Sequence, residues 1–319
     1  MRHVRHSRLR ARLGASVLAI STAFVTVAGL GGSAGADTRP APAARALTGA
    51  ADVKKQLREL EISYQGRIGA FAIDTGTGKT ISYRGGERFP SRSTFKAILC
   101  GAILAKARTT DPGLLNRTLR WTAREVVSDS PITELPENIK NGMTTERLCH
   151  ATITVSDNTA GNVLLKQIGG PAGLTRYYRS LGDPIGRLDR WEPELNDWKP
   201  GEKRDTIKPA SMARSLQKLT VGSTLHVQDR QRLNGWLRAS ITGTERIRKG
   251  LPPHWIVGDK TGGGAGAYAP GSDIAVAWPP TGAPVIIAVY TNRNDPAATM
   301  DNSVIAKTAA LLVRGLGRA

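Results

Sequence analysis

The chain has 319 residues and a formal net charge of +19, from 45 Lys and Arg against 26 Asp and Glu. This length suits one compact unit of one or two lobes, and so large a positive charge favours contact with anionic polymers. Aromatic residues make up only 5% of the chain and no RNA- or DNA-binding motif is present, so we expect no nucleic-acid partner.

The first 36 residues have the pattern of a secretory signal peptide. Five arginines precede an apolar run from about Leu13 to Leu30, and Ala34-Gly35-Ala36 follows as a cleavage site. A retained transmembrane helix is the alternative, but Ser, Thr and Gly dilute the run. We therefore expect cleavage near Ala36, secretion from the cell and no stable membrane insertion. Loss of the five arginines lowers the charge from +19 to +14, and residues 37–50 form a Pro/Ala-rich leader.

Apolar spacing and turn residues predict the order of elements in the rest of the chain. Helices are predicted over 51–62 and 300–315, strands over 67–73, 80–83, 255–259, 273–278 and 285–290, and mostly helical structure over about 97–240. Strands at both ends indicate an α/β fold with one antiparallel sheet built from both chain ends, flanking helices in three α-β-α layers, and an inserted all-α lobe.

The predicted domain covers residues 51–319. Its α/β lobe takes in about 51–92 and 240–319, and its helical lobe about 93–239. We expect a cleft between the two lobes.

The sequence Ser93-Thr-Phe-Lys96 is the first candidate for catalysis. A serine hydroxyl needs a base beside it, and a Lys three positions later on a helix lies on the same face. Pro90 and the apolar residues after Lys96 predict a buried helix that starts near Ser93, where the helix dipole favours negative charge. Alone, the pattern is more often a helix cap followed by a solvated Lys.

Two later motifs also carry polar groups at element ends. Ser156-Asp-Asn158 offers a hydroxyl for proton transfer and a carboxamide, although the same residues commonly cap a helix. Lys260-Thr261-Gly-Gly263 follows a predicted strand, along whose edge a substrate could lie, with Lys and Thr facing a carboxylate. The alternative is a charged strand followed by a Gly-rich turn.

The fourth motif is Arg190-Trp-Glu192-Pro-Glu-Leu-Asn196. A Glu before Pro occupies an extended position. A carboxylate and a carboxamide four residues apart could hold one water between them, but alone this is an ordinary polar loop.

The chain has two cysteines, Cys100 and Cys149. In a secreted protein an even pair suggests one disulfide, which would tie the helix of Ser93 to the segment that carries Ser156. Two free buried thiols are the alternative. The three histidines after the signal lack ligand spacing, so neither a metal nor another cofactor is expected.

In this order, the motifs resemble those of class A serine β-lactamases, and the first three are shared with penicillin-binding proteins. The likeness runs from about residue 51 to the C-terminus. It includes the stretches 87–90, 141–145, 156–165, 188–196, 204–206 and 298–301, and the cysteine pair matches a disulfide of many members. The resemblance implies hydrolysis of the β-lactam ring of penicillins, with cephalosporins as a further substrate class, and hence resistance to β-lactams.

The resemblance also implies a role for each catalytic residue. Ser93 would be the nucleophile, Lys96 would help to deprotonate it, and Ser156 would pass the proton to the leaving ring nitrogen. Glu192, with Asn196, would position and activate the water that hydrolyses the acyl-enzyme. Whether Lys96 or Glu192 is the base for acylation stays open.

Substrate binding is implied for a second set of residues. Asn158 would hold the side-chain amide of the substrate, and Lys260 and Thr261 its carboxylate. The backbone N–H groups of Ser93 and Gly263 would form an oxyanion hole.

The loop that carries Glu192 has two further expected features. An ion pair between Arg190 and Asp205 would close the loop. A cis peptide is expected before Pro193.

The sequence departs from the family pattern at three places. No Arg occurs between Gly264 and Asp273, where many members have one, so Arg246 would supply that guanidinium, as in a subset of the family. Asp129 stands where an aromatic residue often lines the cleft. Arg92 directly precedes the nucleophile, which is unusual beside a basic site.

Two alternatives to a β-lactam hydrolase remain, a D-Ala-D-Ala peptidase and a β-lactam-binding protein that acylates without turnover. Either would lack the block around Glu192. We expect a monomer whose only further partner is the anionic cell wall, bound weakly through its positive charge.

Overall fold

The computed structural model describes residues 49–264 and 266–318, which belong to one compact unit. The predicted signal peptide and most of the leader lie outside the described residues. The strands are β1 (Gly66–Asp74), β2 (Thr80–Tyr83), β3 (Phe89–Pro90), β4 (Thr118–Leu119), β5 (Met143–Thr144), β6 (Thr206–Ile207), β7 (Ile256–Gly262), β8 (Gly271–Trp278) and β9 (Val285–Arg293). The helices are α1 (Ala50–Tyr64), α2 (Phe95–Thr109), α3 (Pro136–Asn141), α4 (Thr145–Thr154), α5 (Asn158–Gln167), α6 (Gly170–Ser180), α7 (Pro209–Thr220), α8 (Val227–Arg238), α9 (Ile247–Gly250) and α10 (Asn302–Leu316).

The main sheet joins the two ends of the domain, as predicted. Its five strands lie in the order β2-β1-β9-β8-β7, and every neighbouring pair is antiparallel. Strands β1 and β9 pair along their full lengths, from Gly66 opposite Arg293 to Asp74 opposite Val285. This pairing holds the sheet together, and it leaves β7 at the edge, facing the helical part of the chain.

Both faces of the sheet are covered by helices. Along β9, Ile286 and Ala288 belong to a larger core shared with the central helices, whereas Ile287 and Val289 belong to a smaller core shared with α1 and α10. A strand buried on both faces is apolar at consecutive positions instead of alternating. The α/β fold with an antiparallel sheet and flanking helices is therefore confirmed.

Helix α2 runs through the larger core. Each residue from Phe95 to Leu104 is buried, including a lysine, Lys96. A helix that is apolar on all sides needs neighbours on all sides, and α2 packs against α4, α5, α6, α7 and α8. Its N-terminus is consequently held firmly beside the edge of the sheet.

The start of this helix differs slightly from the prediction. Residues Arg92–Thr94 form a turn of 3-10 helix, and the α-helix begins at Phe95 with Thr94 at its N-cap. Ser93 therefore lies in the tighter turn just before α2. In the part of the chain that the structure describes, the helices are too short or too polar to span a bilayer.

The predicted disulfide between Cys100 and Cys149 is wrong for this structure. Both side chains are free, buried thiols, and the Cys100 Sγ donates a hydrogen bond to the backbone oxygen of Cys149 at 3.7 Å. Burial raises the pKa of the Cys100 thiol well above its usual value, and the adjacent Cys149 adds to this effect. The pair therefore packs as two small free thiols, the alternative that the sequence left open.

Helix α2 provides a direct test of this packing. Ile103→Ala removes a fully buried side chain from the larger core, so it should lower the free energy of unfolding by about 2–5 kcal/mol. Ile241→Ala is the matched control, because Ile241 is 68% exposed and its loss should change stability by less than about 0.5 kcal/mol. Urea unfolding measures both. Equal effects of the two substitutions would contradict the central position of α2.

Candidate active site

A cleft of about 830 Å³ opens between the edge strand β7, the helices and the loop that carries Glu192. Its lining includes Ser93, Ser156, Asn158, Asn196, Arg246, Thr261 and Gly263. Three charged residues lie just beneath this lining, and Lys96, Glu192 and Lys260 are each almost completely buried. The structure thus brings the four sequence motifs to one place.

Ser93 lies next to a buried ion pair. Its Oγ donates a hydrogen bond to the Glu192 Oε1 at 3.4 Å, and the same oxygen is 3.3 Å from the Lys96 Nζ. The hydroxyl is therefore within reach of a carboxylate, which in turn contacts an amine. A serine with such neighbours has the base that a nucleophile requires.

The amine of Lys96 is held by three groups on the second motif. Its Nζ donates to the backbone oxygen of Ser156 at 2.7 Å, to the Ser156 Oγ at 3.4 Å and to the Asn158 Oδ1 at 2.5 Å. Burial lowers the pKa of Lys96, while Glu192 acts in the opposite direction. The lysine is therefore closer to neutrality than a solvated one, as a proton acceptor requires.

The second motif is both a helix cap and part of the cleft. Asp157 caps α5 by accepting a hydrogen bond from the backbone N–H of Ala160 at 2.8 Å. Ser156 has a φ of 63°, in the left-handed region, and it lines the cleft together with Asn158. The capping and functional interpretations are thus compatible, because they use different residues of the same turn.

The hydroxyl of Ser156 lies between two lysines. The Lys260 Nζ donates to its Oγ at 3.0 Å, opposite the longer contact from Lys96. Burial lowers the pKa of Lys260 well below 10.5, and the charge of Lys96 lowers it further. Two cations so close together favour an anionic ligand or the loss of a proton.

Glu192 is fixed through its side chain and its backbone. The Asn196 Nδ2 donates to the Glu192 Oε2 at 2.6 Å. The Asn162 side chain accepts from the Glu192 N–H at 3.0 Å and donates to its carbonyl at 2.8 Å. The peptide between Glu192 and Pro193 is cis, as expected. The carboxylate and the carboxamide are therefore side by side, where they could share a water.

Asn162 was not among the residues expected from the sequence. It lies in the resembling stretch 156–165, four residues after Asn158 on α5, so the two share a face of the helix. That spacing is the signal that could have identified it.

The ion pair that closes the loop is formed. The Arg190 Nε donates to the Asp205 Oδ2 at 2.6 Å. The other oxygen of Asp205 accepts from the backbone N–H groups of Asp189 at 2.7 Å and Arg190 at 3.0 Å. Both ends of the loop are thereby joined through one buried carboxylate.

The edge strand β7 lies very close to the nucleophile. A Cβ at Gly262 would be 3.1 Å from the backbone nitrogen of Ser93 and 2.8 Å from the Cβ of Arg92. Gly263 has a φ of 148°, which side chains rarely permit. The lack of side chains at these glycines thus lets the end of β7 lie directly against the backbone of Ser93.

Arg246 forms part of the wall behind β7. Its Nη1 donates to the carbonyls of Gly262 at 2.8 Å and Ser272 at 2.7 Å, and its Nε donates to the Asn302 Oδ1 at 2.8 Å. Its Nη2 would be 3.3 Å from a Cβ at Gly263. The guanidinium therefore adds positive charge at the end of the cleft that holds Lys260 and Thr261.

A serine beside a buried carboxylate and amine, a second hydroxyl between two lysines and a cationic end to the cleft are the groups expected in the active site of a serine hydrolase. The chain belongs to the β-lactamase enzyme family, whose model matches residues 52–316, and within it to the class A serine enzymes, the hydrolases of the β-lactam ring.

Named relatives cover most of the chain. β-Lactamase FAR-1 of Nocardia farcinica is 48% identical over 257 residues, which make up 81% of this chain and 80% of that protein. The carbapenem-hydrolysing β-lactamase KPC of Klebsiella oxytoca is 46% identical over 265 residues, 83% of this chain and 89% of that protein.

Solved structures agree with the fold. The crystal structure of the β-lactamase from Streptosporangium roseum has a TM-score of 0.82 at 58% identity and covers 84% of this chain and 100% of that chain. The structure of an ancestral class A β-lactamase (GNCA) has a TM-score of 0.77 at 47% identity, and the match covers 81% of this chain and 98% of that chain.

The lowered pKa of Lys260 predicts a pH effect on substrate binding. As the pH rises through this pKa, the ammonium group loses its proton and with it the attraction to a substrate carboxylate. The KM for benzylpenicillin should therefore rise on the alkaline side, starting well below pH 10.5. In Lys260→Arg the cation persists, because arginine titrates only above about 12, and the rise should move to higher pH. A wild-type KM that does not change up to pH 10.5 would contradict the binding of the substrate carboxylate by Lys260.

Proposed function

We propose that this protein opens the β-lactam ring of penicillins and cephalosporins through an ester on Ser93 and so confers resistance to these compounds. The Ser93 Oγ attacks the β-lactam carbonyl carbon, and the C–N bond of the ring breaks. The Ser93 proton leaves through Lys96 or Glu192, and Ser156 delivers a proton to the ring nitrogen. The contacts of Lys96 and Lys260 with the Ser156 hydroxyl support this relay.

Deacylation uses the other oxygen of the Glu192 carboxylate, Oε2, which contacts Asn196. Glu192 takes a proton from a water held between it and Asn196, and the resulting hydroxide attacks the ester carbonyl. The C–O bond to Ser93 breaks, the serine regains its proton, and the product carries a new carboxylate. A side chain that acts as a general acid and base in this way contributes about 10²–10⁴-fold to the rate.

Binding follows the charge of the cleft. Lys260, Thr261 and Arg246 hold the substrate carboxylate, and Asn158 holds its side-chain amide. The backbone N–H groups of Ser93 and Gly263 stabilise the oxyanion, each at about 3 kcal/mol.

One observation carries this proposal over its alternatives. The Glu192 carboxylate is 3.4 Å from the Ser93 Oγ through one oxygen and 2.6 Å from the Asn196 Nδ2 through the other. A peptidase or a β-lactam-binding protein that stops at the acyl-enzyme has no use for a carboxylate aimed in this way. The geometry therefore supports turnover.

Replacement of Glu192 should trap the acyl-enzyme. In Glu192→Gln the carboxamide cannot accept the proton of the water, so turnover of benzylpenicillin and of a chromogenic cephalosporin should fall by about 10²–10⁴-fold. Intact mass spectrometry should show an adduct on Ser93. The wild type should give many turnovers with little adduct.

Glu194→Gln is the matched control, since Glu194 is an exposed carboxylate on the same loop, and it should leave turnover unchanged. A wild-type protein that forms one stable equivalent of adduct without turnover would mean a binding protein or a peptidase. Undiminished turnover in Glu192→Gln would rule out Glu192 as the base for the water.

The setting of the enzyme is a further part of the proposal. The Arg-rich front, the apolar run and the A-x-A site support secretion with cleavage near Ala36, and the protein then acts as a monomer. The +14 charge that remains supports weak adhesion to the anionic cell wall. Salt should then release enzyme from washed cells, whereas complete recovery in low-salt medium would contradict adhesion.

A further inference from the structure

Arg92 occupies an unusual place directly before the nucleophile. Arg92 is only 2% exposed. Its backbone φ is 47°, which is uncommon for a residue with a side chain of this size. The 3-10 turn that carries Ser93 therefore accommodates a buried arginine immediately behind the reacting hydroxyl. Nothing in the proposed chemistry of acylation requires this cation.

The guanidinium of Arg92 reaches the loop of Glu192. Its Nη1 donates to the backbone oxygen of Asn196 at 2.8 Å. The side chain of the same asparagine donates to the Glu192 Oε2 at 2.6 Å and to the Pro193 oxygen at 3.0 Å. Arg92 thus fixes the backbone of the residue whose carboxamide orients Glu192.

The other side of the guanidinium faces the segment after β7. A Cβ at Gly264 would be 3.7 Å from its Nη2, and a Cβ at Gly266 would be 3.7 Å from its Nη1. These are ordinary packing distances, so the group fills the space between the two loops that border the cleft. Arg92 therefore connects the nucleophile turn, the Glu192 loop and the end of β7.

The charge of Arg92 also suits this position. Burial lowers its pKa, and the carboxylates of Glu192 and Asp197 act in the opposite direction. An arginine remains protonated even when its pKa falls somewhat. The positive charge of Arg92 therefore lies close to the carboxylate of Glu192.

We propose that Arg92 is a positioning residue for deacylation, which holds the Asn196 carbonyl so that Asn196 and Glu192 keep the hydrolytic water in line with the ester. This inference rests on the proposed role of Glu192. It assigns Arg92 to the second half of the reaction, because Arg92 donates to Asn196, whose carboxamide in turn contacts Glu192.

The test separates the two half-reactions. Rapid quenching followed by intact mass spectrometry gives the rates of formation and loss of the benzylpenicillin adduct. In Arg92→Met, which keeps an unbranched side chain but removes the charge and the donors, adduct loss should slow roughly 10- to 100-fold, since small misplacements of reacting groups have effects of this size. Adduct formation should change by less than about 3-fold, well below that effect.

Arg92→Lys retains the charge and one donor, so it should restore part of the rate of adduct loss. If Arg92→Met fails to fold, Arg92→Lys is the variant in which the two rates are compared with those of the wild type. Arg230→Met is the matched control, because the Arg230 Nη1 donates to the Gly222 carbonyl at 2.8 Å on a turn between α7 and α8, and it should change neither rate. Melting temperatures of all variants report general loss of stability.

A double variant provides a readout that stability alone would not affect. If Arg92 acts through Glu192, Arg92→Met should slow adduct loss little further in a Glu192→Gln background. Equal slowing of both half-reactions, full additivity, or unchanged adduct loss in Arg92→Met would overturn the proposal. Failure of Glu192→Gln to accumulate adduct would instead refute the role of Glu192 itself, so the two failures are distinguishable.

Discussion

The rest of the site depends on the buried ion pair between Lys96 and Glu192. The two side chains have no exposed surface, and their charged atoms are 3.3 Å apart. Removing ions from water is costly, and the loss of one partner leaves the other uncompensated. The fold must therefore bring the start of α2 and the loop of Glu192 together and hold both while Ser93 lies between them. The hydrogen bonds of Lys96 to Ser156 and Asn158 complete its solvation by protein groups.

The loop of Glu192 has little regular structure, so polar contacts set its position. Asp205 joins the two ends of the loop through Arg190 and two backbone N–H groups. Asn162 fixes the backbone of Glu192 from α5, and Arg92 holds the Asn196 carbonyl from the nucleophile turn. Each contact comes from a different part of the chain. The carboxylate is thus aimed by the convergence of several rigid elements, as precise catalytic geometry requires.

The sheet and the four motifs that meet at the cleft could be recognised in the sequence, because each leaves a local pattern that contacts between distant residues do not leave. Buried strands such as β9 leave continuous apolar runs, and Ser93 and Lys96 or Glu192 and Asn196 lie a few residues apart in recognisable motifs. The contact of Arg92 with Asn196 joins residues 104 positions apart and has no periodic signal. Nor could the presence of two cysteines in the sequence reveal that their thiols pack side by side unbonded. Contacts between distant loops depend on the complete fold.

The positive groups of the cleft support the preference for an anionic substrate that we propose. Lys96 and Lys260 contact the same Ser156 hydroxyl, and the charge of Lys96 makes that of Lys260 less favourable. Arg246 adds a third positive group behind the end of β7. Glu192 compensates Lys96, but among the described residues the hydrogen-bond acceptors of Lys260 are neutral oxygens, from Ser156 and from its own strand. A substrate carboxylate supplies the missing negative charge, whereas a neutral compound of the same shape would leave the excess positive charge in place. The selectivity that we propose for carboxylate-bearing substrates therefore rests as much on the repulsion among these cations as on the hydrogen bonds that the substrate gains.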